Sequence, residues 1–246
     1  MPILNLNNIS KNFGAIEALK NVNFNLDKGQ VVGLMGDNGA GKSTLIKIVA
    51  GVFQATSGEI LYKDKHVNFS KPIDARNSGI EVVYQDLALC DNLTAAANIF
   101  LSRELFKKIF YVPFLDYKKM YNISQNLFNE LKSETRPRDI VKLMSGGQRQ
   151  AVAIARTKLT DAKIVLMDEP TAAISVRQVA EVLDYIRQLR DQGISIILIS
   201  HRMPDVFEVS DRIVVLRRGS KVADKKITDS SPEEVTGLIT GALQTA

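Results

Sequence analysis

The run Gly36-Asp-Asn-Gly-Ala-Gly-Lys42-Ser43-Thr44 constrains this chain more than any other stretch. It stands between Val31-Val-Gly-Leu-Met35, which reads as a fully buried strand, and residues 44–50, which read as a helix. A glycine-rich turn in that setting folds tightly enough to aim its backbone N–H groups at phosphate oxygens. The helix start behind it adds the positive end of its dipole. Gly36, Asp37, Asn38, Gly39, Ala40, Gly41, Lys42, Ser43 and Thr44 are therefore the expected phosphate cradle. Lys42 is placed to reach the β- and γ-phosphates and the Ser43 hydroxyl to ligate Mg2+. A strand–loop–helix unit of this kind commits the chain to an α/β fold with a largely parallel sheet.

The rest of the pattern is consistent with that fold. Ile3-Leu-Asn-Leu6 and Val22-Asn-Phe-Asn-Leu26 alternate like half-exposed antiparallel strands, whereas Ile164-Val-Leu-Met167 and Ile196-Ile-Leu-Ile199 read as buried ones. Between the latter two, Val179, Val182, Leu183, Ile186 and Leu189 share one helical face, and Gly193 ends the helix. The tail predicts strands at 213–216 and 221–223, then a helix opened by the capping box Ser231-Pro-Glu-Glu234. From about residue 89 to 156 the buried strand runs vanish and helical spacing takes over, with Met120, Ile123, Leu127, Phe128 and Leu131 on one face. This predicts a helical subdomain at 89–156, inside one domain of residues 1–246. Gln85 and Ser145 stand near its two junctions.

Two further motifs carry chemistry. Ile164-Val-Leu-Met-Asp168-Glu169 delivers two carboxylates to the end of a strand, at the edge where α/β sheets bind ligands. After a phosphate loop, Asp168 suits a Mg2+ held through water. Glu169 suits orientation of the water that attacks a γ-phosphate. Met144-Ser-Gly-Gly-Gln148 precedes the helical run 149–158, with Ser145 as its N-cap. A Ser-Gly-Gly helix start again presents N–H groups to an anion.

With these three motifs in this order, the sequence resembles the ATP-binding-cassette (ABC) ATPases over residues 3 to about 240. The resemblance implies a phosphate-loop NTPase core with a mixed sheet, N-terminal antiparallel strands and an inserted helical subdomain. It implies ATP and Mg2+ as ligands and a head-to-tail dimer. In that dimer Ser145, Gly146, Gly147 and Gln148 of one copy close on the γ-phosphate held by the other. It also implies that Gln85 senses Mg2+ and water, that His201 contacts the γ-phosphate, and that Phe13 stacks on adenine. Gln85-Asp-Leu-Ala-Leu-Cys-Asp-Asn-Leu-Thr94 and Ser200-His-Arg-Met-Pro-Asp-Val-Phe-Glu208 are similar to the ATPase subunits of monosaccharide importers of the ribose, xylose and fructose type. The expected partners are then a second ATPase subunit, transmembrane permease subunits and, indirectly, a sugar-binding protein. The expected place is the cytoplasmic face of the membrane.

Two departures stand out. The loop after Glu169 usually carries an aspartate in this family, where this chain has Ala172-Ala-Ile-Ser175, and Met144 replaces the usual leucine. Many monosaccharide-type members also fuse two cassettes, and these 246 residues hold one.

Composition limits the alternatives. A single cysteine, Cys90, excludes an intrachain disulfide framework. No apolar run approaches the ~18 residues of a membrane span, and the start, Met-Pro-Ile-Leu-Asn, lacks the form of a signal peptide. A soluble intracellular chain is expected. Net charge is +5, from 32 Lys and Arg against 27 Asp and Glu, which raises an alternative: a soluble ABC ATPase acting on nucleic acid or ribosomes. The scatter of the basic residues, and the absence of a long coiled coil or charged linker, favour the transport reading, with no nucleic-acid partner.

Overall fold

A computed structural model describes residues 2–160, 162–172 and 174–243. The chain divides into two compact units. The first comprises residues 1–82, 162–169 and 183–246, and the second 83–161 and 170–182.

The first unit begins with a long antiparallel pair, β1 (Pro2–Phe13) and β2 (Ile16–Asp27). These run well past the four- and five-residue stretches expected from alternation. Register shifts at Leu6/Ile9 and Ile9/Lys11 break the period of two, and Asn8 and Asn21 take left-handed backbone angles there. Next come β3 (Val31–Met35), α1 (Lys42–Val49), β4 (Ser57–Tyr62), β5 (Lys65–Val67), α2 (Pro72–Asn77) and β6 (Ile80–Val83). In the second unit follow α3 (Ala95–Ile99), β7 (Phe106–Ile109), β8 (Val112–Leu115), α4 (Tyr117–Glu130) and α5 (Gly146–Lys158). The chain closes with β9 (Ile164–Asp168), α6 (Val176–Asp191), β10 (Ser195–Ile199), α7 (Met203–Val209), β11 (Arg212–Arg217), β12 (Ser220–Lys226) and α8 (Pro232–Thr240).

Two sheets organise the first unit. One is antiparallel, in the order β2-β1-β4-β5; the other has six strands, β12-β11-β3-β10-β9-β6. In the second sheet β3 runs parallel to both β10 and β11, and β10 runs parallel to β9. The tail strand β12 runs antiparallel to β11, so the sheet is mixed.

Strand periodicity assigns its faces. Val32 and Leu34, Ile164 and Leu166, Ile197 and Ile199, and Val214 and Leu216 point the same way. They share one core with Leu45, Ile46 and Val49 of α1 and with Leu4, Leu6, Phe24 and Leu26 of the antiparallel sheet. The intervening residues Val165, Met167, Ile196, Leu198, Ile213 and Val215 are equally buried. That is the signature of strands covered on both faces.

Arg212 ties the two sheets together. Its guanidinium donates to the Asn25 carbonyl at 3.0 Å and to Asn25 Oδ1 at 2.7 Å, while also holding the Asp224 carboxylate on β12 at 2.5 and 2.7 Å. Burial pushes the Asp224 carboxyl up, but the hydrogen bonds from Arg212 and Lys221 outweigh it and leave its pKa below the ordinary value.

The second unit has its own core of Ala95, Ile99, Phe100, Met120, Leu127, Phe128, Val141, Met144, Val152 and Ala155. Met144 is buried in it, as a volume-conserving exchange for leucine allows. Residues 89–156 fall within this unit, which also carries the β7–β8 hairpin that helical spacing did not predict. At the C-terminus Ser231 caps α8 by accepting from Glu234 N. The Glu234 carboxylate turns to Lys225 instead of back to Ser231, so half of the expected capping box forms.

Arg212→Met should cost about 2 kcal/mol of folding free energy, read from the urea midpoint, because hydrogen bonds to charged groups are being removed. Since the Asp224 pKa is depressed on folding, the wild-type advantage should be complete above the ordinary aspartate pKa. It should be lost as pH falls through the lower, folded value.

Candidate functional site

The cradle begins where β3 ends. Gly36 follows the last strand residue, residues 37–39 are exposed, and α1 opens at Lys42, two positions earlier than the sequence pattern indicates. The N–H groups at positions 42–44 therefore belong to the first helical turn and lack intrahelical acceptors. Gly41 caps the helix at φ 104°, and a Cβ there would lie 2.8 Å from the Ala18 carbonyl and 2.7 Å from Leu19. Both the backbone angle and the close packing demand glycine. Asn38 N donates to Asp37 Oδ1 at 2.7 Å and Ala40 N to the Asp37 carbonyl at 3.1 Å, which holds the turn. Ser43 is exposed and Thr44 half-buried.

Lys42 folds back over its own loop. Its Nζ donates to the carbonyls of Gly36 at 2.8 Å and Asp37 at 3.0 Å, and the residue is 7% exposed. Burial pushes its pKa down, against the opposing charges of Glu169, Asp168 and Asp37. Among the described residues the ammonium bonds backbone carbonyls and no carboxylate. Two backbone carbonyls satisfy it, and phosphate oxygens could take their place.

Asp168 and Glu169 emerge at the end of β9. The ladder with β10 continues one step further, Glu169 N donating to the Ile199 carbonyl at 2.9 Å. Glu169 then turns with φ 53°, a left-handed angle for a branched-free but bulky side chain. Its Oε2 accepts the backbone N–H of His201 at 3.2 Å. Its Oε1 lies 3.3 Å from His201 Nε2, within ion-pair distance but without hydrogen-bond alignment, so it remains a buried acceptor lacking a hydrogen-bond donor. Burial raises the Glu169 pKa most. The His201 N–H and charge pull it down, and Asp168 pushes it up.

The structure thus brings together, in the first unit, the phosphate loop, Lys42, Asp168, Glu169 and His201. Phe13 closes β1 in the same unit, 42% exposed. It meets Phe53 edge-on at 5.2 Å, with the Lys11 ammonium 5.0 Å from its ring centre. A ring so displayed can stack on a flat aromatic ligand.

Gln85 and Ser145–Gln148 belong to the second unit. Gln85 lies in an exposed turn just past β6, closed by Leu87 N donating to the Tyr84 carbonyl at 2.9 Å. Ser145 caps α5 in a complete box: Gln148 N donates to Ser145 Oγ at 3.3 Å, and Ser145 N to Gln148 Oε1 at 3.0 Å. The helix starts at Gly146, three residues before the apolar pattern begins.

Gln178 was not singled out by the sequence pattern. Ser175 N donates to Gln178 Oε1 at 3.0 Å and Gln178 N to Ser175 Oγ at 3.4 Å, a second Ser-x-x-Gln box at the start of α6. A Cβ on Gly147 would lie 2.0 Å from Gln178 Nε2, so the amide rests directly on the Ser-Gly-Gly turn. The repeated Ser-x-x-Gln spacing was the available signal. Ala173, part of the atypical segment 172–175, lies outside the described residues.

Comparison with known proteins places these features in a family. The sequence profile of the family described as ABC transporter matches residues 19–172. A xylose/arabinose import ATP-binding protein of Sulfolobus acidocaldarius is 46% identical over 241 residues, 97% of this chain and 94% of that protein. A ribose import ATP-binding protein of Yersinia pestis is 40% identical over 98% of this chain, which spans only 47% of that relative's length. Among solved structures, a nucleotide-free ATP-binding cassette from an ABC transporter superposes with a TM-score of 0.82 at 26% identity, covering 98% of this chain and 96% of the other. A dimeric ATP-binding cassette bound to ADP and Pi in a post-hydrolysis state gives 0.78 at 25% identity, over 91% and 98%.

Glu169→Gln should stabilise the chain at neutral pH by removing a buried charge. Because the pKa is raised on folding, the gain should vanish below the ordinary glutamate pKa. It should grow as pH rises through that value and level off above the folded one. Thermal melts across pH check this, and equal melting temperatures at all pH values would contradict the assigned burial penalty.

Proposed function

This chain belongs to the ABC transporter family and is an ATPase, and from that premise we propose that it is the motor subunit of a monosaccharide importer. The observation that carries the reading is the gathering of Lys42, Asp168, Glu169 and His201 beside the phosphate loop, at the ends of β3, β9 and β10. Similarity to xylose/arabinose and ribose import proteins supports the sugar class.

In this reading the N–H groups at the start of α1 and residues 36–41 cradle the ATP phosphates. Lys42 gives up its two carbonyl bonds for β- and γ-phosphate oxygens. Phe13 carries the adenine on its exposed face. Glu169 orients the attacking water, its Oε1, which receives no hydrogen bond, being the acceptor the water would meet, and His201 holds Glu169 while reaching the γ-phosphate.

The donor set in the first unit suits Mg2+, because Ser43 and Asp168 offer hard oxygen ligands. Among the described residues no three His, Cys, Asp or Glu side chains cluster to hold a metal. Bound there, Mg2+ would neutralise charge accumulating on the β- and γ-oxygens.

Ser145, Gly146, Gly147 and Gln148 serve the site of a second copy, where the α5 N-terminus closes on the γ-phosphate. Residues 89–156 act as a helical subdomain that passes the closing movement to permease subunits. A sugar-binding protein on the far side is coupled only through them. The chain attaches peripherally at the cytoplasmic face through the permease; no helix among the described residues is long and apolar enough to cross a membrane.

Glu169→Gln should lower ATP turnover at least about a hundredfold while ATP binding persists. A wild-type rate in that variant would remove Glu169 from the chemistry. Specific ATPase activity of the wild type should also rise with protein concentration, because each site needs two chains. A constant specific activity on dilution would count against the shared site.

A further inference from the structure

The hairpin of β7 and β8 takes no part in the site above, and its surface is unlike the rest of the chain. Its register pairs Phe106 with Leu115, Lys107 with Phe114, Lys108 with Pro113 and Ile109 with Val112. Phe106, Ile109, Val112 and Phe114 are exposed although they point to both faces of the ribbon. The turn is Phe110-Tyr111, and these rings are 93% and 96% exposed. Both residues hold left-handed backbone angles, φ 47° and 67°. A two-residue turn of this kind is the place for Asn-Gly. Two aromatic residues there strain the backbone while nearly all of both rings stands in solvent.

Charge is distributed with equal bias. No acidic residue occurs between Glu104 and Asp116. Exposed Lys107 and Lys108 lie just behind the turn, and Lys118 and Lys119 are exposed in the first turn of α4. From the tip inward, Phe110, Tyr111, Ile109 and Val112 come first and Lys108 and Lys107 next, with Phe114 level with Lys107 and Phe106 behind it. Lys108 follows Phe110 at a spacing of about 7 Å along an extended strand.

That gradient separates two kinds of partner. A protein meets an apolar patch with its charges moved to the rim, but here lysines and apolar residues share both faces behind a tip that is apolar alone. A lipid interface has that depth profile: apolar groups enter about 5–10 Å at the headgroup boundary, aromatic rings sit at headgroup level, and lysines meet anionic phosphates just above.

We propose that the β7–β8 hairpin docks tip-first on an anionic phospholipid surface, with Phe110 and Tyr111 entering the interface and Lys107 and Lys108 contacting the headgroups. The inference stands independently of which solute is transported.

Flotation of the full chain with vesicles tests it, using phosphatidylcholine alone and phosphatidylcholine mixed with phosphatidylglycerol. The chain should float with the mixed vesicles only, and less as salt rises. Phe110→Ser with Tyr111→Ser should abolish flotation. Lys107→Ala with Lys108→Ala should weaken it about thirtyfold, the product of two lysines near a charged surface. Both variants should keep wild-type helix content and ATP hydrolysis. Failure of the wild type to float with anionic vesicles, or unchanged flotation of the aromatic double variant, would overturn the proposal. So would a photo-crosslinker at position 111 that captures a membrane protein and no lipid.

Discussion

Parallel pairing of β3 with β10 and of β10 with β9 is the constraint on which the site depends. Parallel neighbours end at the same edge of a sheet. When both faces are covered, as here, polar side chains gather beyond the last strand residues. β3 runs into the phosphate loop, β9 into Asp168 and Glu169, and β10 into Ser200 and His201. Residues far apart in sequence are thereby held within electrostatic reach, and the Glu169 N–H bond to Ile199 locks two of the three ends together. The buried aliphatic runs of these strands are the means by which a lysine, two acids and a histidine meet at one edge.

The charges so gathered are balanced against burial. Lys42 and Glu169 both lose hydration, and each is displaced toward its neutral form, while their mutual attraction opposes the shift. Neither charge is closed off by a direct bond to the other. Lys42 spends its donors on two loop carbonyls, and Glu169 keeps one oxygen without a hydrogen bond. A phosphate entering the loop would favour the charged lysine and disfavour the charged glutamate, so the two groups respond to the same ligand in opposite senses. The left-handed turn at Glu169 belongs to this arrangement, since it aims the carboxylate at the His201 N–H.

What could be read from sequence follows physical lines. β3, β9 and β10 were legible because burial on both faces leaves an uninterrupted aliphatic run, and the phosphate loop because its glycines and lysine have few other uses together. β1 and β2 were found but cut short, since their register shifts destroy the alternation that marks a strand. The β7–β8 hairpin stayed hidden for a related reason: apolar side chains occupy both of its faces, so no period of two survives, and its turn lacks Asn or Gly. Gln178 was invisible to periodicity because it contacts Gly147, a neighbour fixed only by tertiary packing.

The segment 172–175 departs from the family pattern by lacking an aspartate. Ser175 stands at the start of α6, its hydroxyl accepting from Gln178 N and its carbonyl from Val179 N at 2.9 Å. Serine and aspartate are near equals as N-caps, so an aspartate at position 175 would support the same helix start. An exchange at position 175 therefore leaves the start of α6, and the seat of Gln178 on Gly147, in place. What it removes is a negative charge at the N-terminus of α6, where the helix dipole favours one. The departure thus changes the local charge at the start of α6 and leaves that helix start intact.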